Sequence, residues 1–150
     1  MIDRLPITKA EIRTLIPHSG TMCLLDEVIR WDETSITCVT NTHRDPNNPL
    51  RRDGHLSAVH AFEYGAQAAA VHGGLRARAV GETAPPGYLA ALRDASLHVS
   101  FLDDITSPLQ VCANHLFGDR ANTVYECRIS ADNVLLAKAR ITIIQRTQRR

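Results

Sequence analysis

The sequence predicts an α+β domain in which one long helix is wrapped by a six-stranded antiparallel sheet. Three observations carry that expectation. The stretch Ser57-Ala-Val-His60-Ala-Phe-Glu63-Tyr-Gly-Ala-Gln67-Ala-Ala-Ala-Val-His72-Gly-Gly reads as a helix with almost no side-chain bulk. Such a helix suits a buried position that its neighbours approach closely on every side. Two strand-like segments precede it, and after the following loop the hydrophobic period changes to two and stays there. Turn signals at Gly118-Asp119 and Ala131-Asp132-Asn133 then divide the last third of the chain into long antiparallel strands.

Taken in order, Ile7 to Leu15 reads as a short helix capped by Thr8, with Glu11 three residues on. Met22 to Arg30 is apolar and strand-like. Ser35 to Thr42 alternates, with Ile36, Cys38 and Thr40 on one face. Asn41 to Asp53, rich in Asn, Pro, Arg and Asp, is a loop. The small-residue helix spans about Ala58 to His72, with Ser57 as its candidate N-cap and Gly73-Gly74 as its candidate stop. A second loop, Gly73 to Gly87, holds Gly81 and Pro85-Pro86. Four strands complete the pattern: Tyr88 to Leu102, Pro108 to Phe117, Thr123 to Ser130 and Val134 to Gln145. In the last, Leu135, Ala137, Ala139, Ile141 and Ile143 alternate against Lys138, Arg140 and Thr142. A six-stranded sheet is wide enough to curl around one helix, and its edge needs cover, which a second subunit commonly supplies.

The 150 residues make one domain, residues 1–150, with enough chain for a real core. Hydrophobic residues at 44% and charged residues at 22% are those of a soluble globular protein. A net charge of +1 implies neither a nucleic-acid nor a membrane partner. No apolar run is long enough to span a bilayer, and Met1 to Pro6 lacks a signal-peptide core. The basic end, Arg146 to Arg150, reads as a solvated tail. Cys23, Cys38, Cys112 and Cys127 form no CxxC pair, which points to buried free thiols in a reducing cytoplasm and to no metal site.

Glu63 is the chemical focus, because an ionisable group in an apolar sleeve is costly unless paired or functional. Its bland alternative is a structural acid paired with His60, one turn earlier, or with an arginine. Gln67 either holds the Glu63 carboxyl or satisfies polarity in the core. His60 shares the helical side of Glu63 and Gln67, and His43 lies in the preceding loop. His18 reads as fixing the turn before the first strand, and His55 and His72 as structural or solvent-facing; His98 and His115 receive no site role. Asp103-Asp104 reads as a turn rather than a catalytic carboxylate pair. Arg51 and Arg52 are either loop solvation or a contact for an anionic partner.

Pro17-His18-Ser-Gly20, Leu24-Leu25-Asp26 with Val28, and Glu63-Tyr-Gly-Ala-Gln67 resemble the P-H-x-x-x-x-L-L-D-x-V opening and the E-x-x-A-Q helix of hotdog-fold β-hydroxyacyl-acyl-carrier-protein dehydratases. Trp31-Asp32, Asn48-Pro49-Leu50-Arg51, Ala70-Val71-His72-Gly73, Gly87-Tyr88-Leu89-Ala90 and Leu92-Arg93-Asp94 bring the chain closer to the divergent ApeP-like branch, associated with aryl polyene synthesis. The likeness implies a dimeric hotdog fold and hydro-lyase activity on a 3-hydroxyacyl thioester. It implies no cofactor of the chain's own, since the phosphopantetheine arm of an acyl carrier protein delivers the substrate. Glu63 inherits the role of the family acid and Gln67 that of the helical glutamine. The family motif H-F-P-x-x-P-x-x-P-G-x-x-x-x-E, anchored on Glu63, puts Pro49 where its histidine belongs, with Ser57-Ala58 in place of Pro-Gly. His43 serves as the base only if the loop runs differently. His60 would line the pocket, and Arg51 and Arg52, with Arg76 and Arg78, would form a basic rim for the carrier protein. The missing histidine keeps a second assignment open: a non-catalytic subunit completing a heterodimer with another hotdog chain. A third assignment, thioester hydrolysis, uses the same helical carboxylate to activate water.

Overall fold

The computed structural model describes residues 4–16, 22–119 and 121–145. The elements are β1 (Ile7–Thr8), α1 (Lys9–Leu15), β2 (Glu27–Trp31), β3 (Ser35–Thr40), α2 (Ala61–Ala79), β4 (Gly87–Leu97), β5 (Leu109–Gly118), β6 (Asn122–Ala131) and β7 (Val134–Gln145). All seven strands join one antiparallel sheet in the order β1-β2-β3-β5-β6-β7-β4. Helix α2 packs across β3, β5, β6 and β7, so the sheet wraps it as the sequence predicts. The Pro17-His18-Ser-Gly20 motif and the Arg146 to Arg150 tail lie outside the described residues.

The seventh strand is β1, where Ile7 pairs with Val28. Thr8 ends it and caps α1 at once, its Oγ1 accepting from the Glu11 N–H at 3.4 Å. The expected strand from Met22 begins only at Glu27, because the backbone before it is satisfied by side chains instead of a ladder. The Leu24 carbonyl accepts from the hydroxyls of Thr40 and Thr42, each at 2.6 Å. The Leu24 N–H donates to Oε1 of Gln67 at 2.8 Å. Strand β3 buries Ile36, Cys38 and Thr40, the face its alternation predicts.

Helix α2 does not stop at Gly73-Gly74 but continues to Ala79. Gly74 serves a close approach between helices: a Cβ on it would lie 3.1 Å from the Leu15 carbonyl oxygen and 3.2 Å from the Leu15 Cβ. Ser57 caps the single 3-10 turn before the helix, accepting from the Val59 N–H at 3.4 Å. Strand β4 ends at Leu97, earlier than expected, after a register shift at which Asp94 adopts φ +52°. The chain then leaves the sheet to lie against the segment before α2, where the Leu102 N–H meets the Leu56 carbonyl at 2.8 Å. At the β6–β7 turn, Asp132 (φ +50°) and Asn133 (φ +63°) occupy the left-handed region that a two-residue hairpin demands.

Strand β4 is therefore the sheet's outer edge next to β7, and it is exposed over most of its length, including Tyr88, Leu92 and Leu97. An edge of this length, with unpaired backbone groups and apolar side chains, is a surface for strand pairing.

Candidate functional site

The exposed side of α2 forms one wall of a cleft of about 1110 Å³. Glu63 and Gln67 line it near the start of the helix, followed by Ala66, Ala70 and Gly73, then by Arg76. The opposite wall includes Trp31 from β2 and Gly87, Tyr88 and Leu89 from β4, the free edge. The small residues thus have two duties. Those facing the sheet permit close packing, and those facing the cleft leave it open.

Glu63 does not occupy the buried sleeve that its sequence context suggests: in the single chain it is exposed at the cleft. Its helical position puts it in the first turn of α2, where the backbone dipole favours a negative charge. It forms no ion pair with any described residue, so the expected partnership with His60 or an arginine is absent there. His60 sits at the N-cap position of α2, half-buried, and is not among the residues lining the cleft.

His43 is fully buried, away from the cleft. Its Nε2–H donates to the Ile105 carbonyl at 3.0 Å, and its Nδ1 is buried with no hydrogen-bond partner. Desolvation, opposed by that carbonyl, holds its pKa below the ordinary histidine value. A neutral, enclosed imidazole of this kind pins the loop to the 105–107 segment, so the residue expected as the base does not line the cleft in the single chain.

Gln67, expected as a substrate contact, lines the cleft with both ends of its amide engaged. Besides accepting from Leu24 N–H, its Nε2 donates to the Met22 carbonyl, so both ends of the amide fasten α2 to the segment ahead of β2. Asp26 of the same motif accepts from Lys9 Nζ at 2.9 Å and from the Asn41 N–H at 2.8 Å. Those bonds hold its carboxyl below the usual range despite burial. The Tyr64 hydroxyl lies 2.9 Å from Thr42 Oγ1 and accepts from Asn48 Nδ2 at 3.1 Å. The Leu24-Leu25-Asp26 motif and the helical Gln67 are thus parts of one knot that sets the helix against the sheet.

Arg51 is spent on its own loop. Its guanidinium donates to the carbonyls of Asp45 (2.8 Å), Gly54 (3.0 Å) and His43 (3.2 Å), and lies 3.7 Å from the Asp103 carboxylate. That commits the guanidinium to the loop, whereas Arg52, on the hairpin around Asp53-Gly54, is exposed. Asp103 itself sits in a turn and accepts from the Leu56 N–H at 2.8 Å and pairs with His55 at 3.1 Å.

At the cleft's far end the sequence singled out Arg76 alone, as part of a basic rim. His72, fully buried, donates from Nε2 to the Asp32 carbonyl at 2.7 Å. Its Nδ1 is then the acceptor, and the Tyr125 hydroxyl donates to it at 2.6 Å. Burial pushes His72 down to about 4 and Tyr125 up to about 12; Arg76 beside the phenol opposes the latter rise. His115 stands edge-on to Tyr125, ring centres 5.3 Å apart, and lines the cleft with it. These groups come from the turn after β2 and from α2, β5 and β6, with no spacing to link them in sequence.

A helix enclosed by a single antiparallel sheet in this order is the hotdog fold. The family described as ApeP-like, ApeP dehydratase, matches residues 10–150, and the chain belongs to that family. Among solved structures, it is similar to the dehydratase heterocomplex ApeI:P from Xenorhabdus doucetiae, with TM-score 0.84 and 27% identity over 97% of this chain and 94% of that one. A putative thioesterase from Shewanella oneidensis (TM-score 0.61, 12% identity, 92% and 96% covered) shares the fold. So does the HP0420-homologue from Helicobacter felis (TM-score 0.61, 9% identity, 91% and 89% covered). No curated protein matches the chain.

Proposed function

We propose that this chain is the acid-bearing subunit of a 3-hydroxyacyl thioester dehydratase, completed by a second hotdog chain that covers the cleft and supplies the imidazole. One observation carries the reading: Glu63 stands in an open cleft walled by the free edge β4, while the loop histidine that could have served it is enclosed elsewhere. The solved relative, itself a dehydratase heterocomplex, supports an assembly of unlike hotdog chains.

In such a complex a base on the partner removes the α-proton of the thioester. The C–H electrons form the Cα–Cβ double bond, and the β-hydroxyl leaves as water after taking a proton from Glu63. Covering the cleft excludes bulk water from the Glu63 carboxyl and the departing hydroxyl. Backbone N–H groups in the first turn of α2 then receive the charge developing on the thioester oxygen. The substrate arrives on a phosphopantetheine arm from fatty-acid or polyene-type synthesis in the cytoplasm. Arg52 belongs to the docking surface for its carrier protein; Arg51 holds the loop that presents it.

Co-expression with a second hotdog dehydratase chain, followed by copurification and an enoyl-absorbance assay on 3-hydroxyacyl thioesters, tests the proposal. Turnover by the pair, and its loss in Glu63→Gln, are expected. Full turnover by this chain alone as a homodimer sinks the shared-site reading. Release of free thiol without enoyl product transfers the site to thioester hydrolysis, which the thioesterase neighbours share only in fold.

A further inference from the structure

We infer that the far end of the cleft is a subsite reading the terminus of the acyl chain. There Tyr125, fixed by His72, and Arg76 beside it favour a chain ending in a neutral oxygen function (hydroxyl or carbonyl) over a plain hydrocarbon end. This rests on the thioester reading of the same cleft.

The cleft is graded along α2. Glu63 and Arg76 are thirteen positions apart, about 20 Å at the helical rise. Between them the helix offers methyl groups and Gly73, where even an added Cβ would meet nothing within 4 Å. The middle therefore suits hydrocarbon, whereas the end sets Arg76, His115 and Tyr125 among apolar residues such as Val80 and Leu89. Tyr125 is only 2% exposed, and its hydroxyl proton is committed to His72, which the Asp32 carbonyl locks in one tautomer. The phenol oxygen keeps acceptor capacity, while Arg76 and the half-buried His115 contribute donors beside it. A methyl end lodged here would strip water from these groups and return no hydrogen bond, a net cost. A hydroxyl or carbonyl replaces that water. A carboxylate end is disfavoured, because Asp32, Glu33, Glu82 and Asp119 line the cleft as well.

The test uses the complex with its partner chain and pairs of 3-hydroxyacyl thioesters of equal length, ending in methyl, hydroxyl or carboxylate, scanned over chain length. At lengths that reach the subsite, hydroxyl-ended chains should exceed methyl-ended ones about tenfold in kcat/KM, equivalent to about 1.4 kcal/mol. Carboxylate-ended chains should not share the gain. The hydroxyl-to-methyl ratio should fall toward one in Arg76→Ala and in Tyr125→Phe, each compared with its own rate on short chains. Calorimetric binding of the matching ω-hydroxy and plain fatty acids reads the same ratio without turnover. If the complex dehydrates nothing but still prefers the ω-hydroxy acid, the dehydratase reading fails and the subsite stands. Equal binding and turnover for the two ends, or a ratio that survives both substitutions, overturns the subsite.

Discussion

Gly65 of α2 lies so close to Cys127 of β6 that a Cβ on it would stand 2.7 Å from the Cys127 Sγ and 2.9 Å from the Cys127 Cβ. The small-residue helix is the means of that approach. Intrinsic helix propensity favours alanine over glycine by about 1 kcal/mol. Here the clash should reverse the sign, so Gly65→Ala is expected to destabilise by about 1–3 kcal/mol. Cys127→Ala in the same chain should recover part of the loss. Denaturant midpoints of both single variants and the double variant measure this coupling.

Gln67 carries a comparable duty through hydrogen bonds. Gln67→Leu leaves the Leu24 N–H and the Met22 carbonyl without their partner. It is expected to cost about 1–3 kcal/mol, the penalty for stranded polar groups. Gln67→Glu keeps the acceptor for Leu24 but loses the donor to Met22, so its loss should be intermediate. Chemical denaturation of the three chains gives the ranking.

His72 is neutral in the folded protein, with its pKa at about 4 against 6.5 for the free side chain. Below pH 6.5 the unfolded chain takes up a proton that the folded chain refuses. The stabilisation is therefore complete above 6.5 and is lost as pH falls toward 4. At pH 5 the loss amounts to about 2 kcal/mol, or roughly 4–8 °C in Tm for a chain of this size. His43 and the depressed carboxyls of Asp26 and Asp103 act in the same direction. The His72 share is the part of the acid-side slope that disappears in His72→Gln, read from melting curves at pH 7.5 and 5.

Glu63 and His43 should separate cleanly. Glu63→Gln in the two-chain complex is expected to lower turnover at least 100-fold, within the range for loss of a general acid. Its melting curve should change little, because the side chain is exposed and unpaired among the described residues. His43→Gln should do the reverse, lowering stability through the lost contact to Ile105 while turnover per folded complex persists. A large kinetic effect of His43→Gln at constant stability would return the loop histidine to the chemistry.

Arg51 and Arg52 are neighbours with opposite expectations. Arg51→Ala removes three bonds to loop carbonyls and should cost about 2 kcal/mol. Arg51→Lys should rescue little, since an ammonium cannot reproduce the fork. Arg52→Ala should stay within about 0.5 kcal/mol of the parent and weaken carrier-protein binding, measured by titration with the acylated carrier.

Much of the fold was legible in local pattern. Period-two alternation located the strands from Ser35 onward, and the capping chemistry of Thr8 and Ser57 marked two helical starts. The Asp132-Asn133 turn was legible because left-handed backbone has few residue choices. Gly73-Gly74 misread as a stop because glycine ends helices and also admits close neighbours, and only Leu15, distant in sequence, tells the two apart. The candidate acid was visible as a lone carboxylate among alanines. Its exposure was not, since burial depends on which face the sheet leaves open.

By itself, then, the sequence determined the order of elements and the wrapped helix, and it singled out Glu63 as the candidate acid. Only the tertiary structure decided that His43 is enclosed, that Gln67 and Arg51 serve the scaffold, and that His72, Arg76, His115 and Tyr125 meet at the end of one cleft. Side-chain periodicity records which face of an element is apolar. It carries no record of which residues from three separate elements converge, because convergence is set by how the sheet closes on the helix.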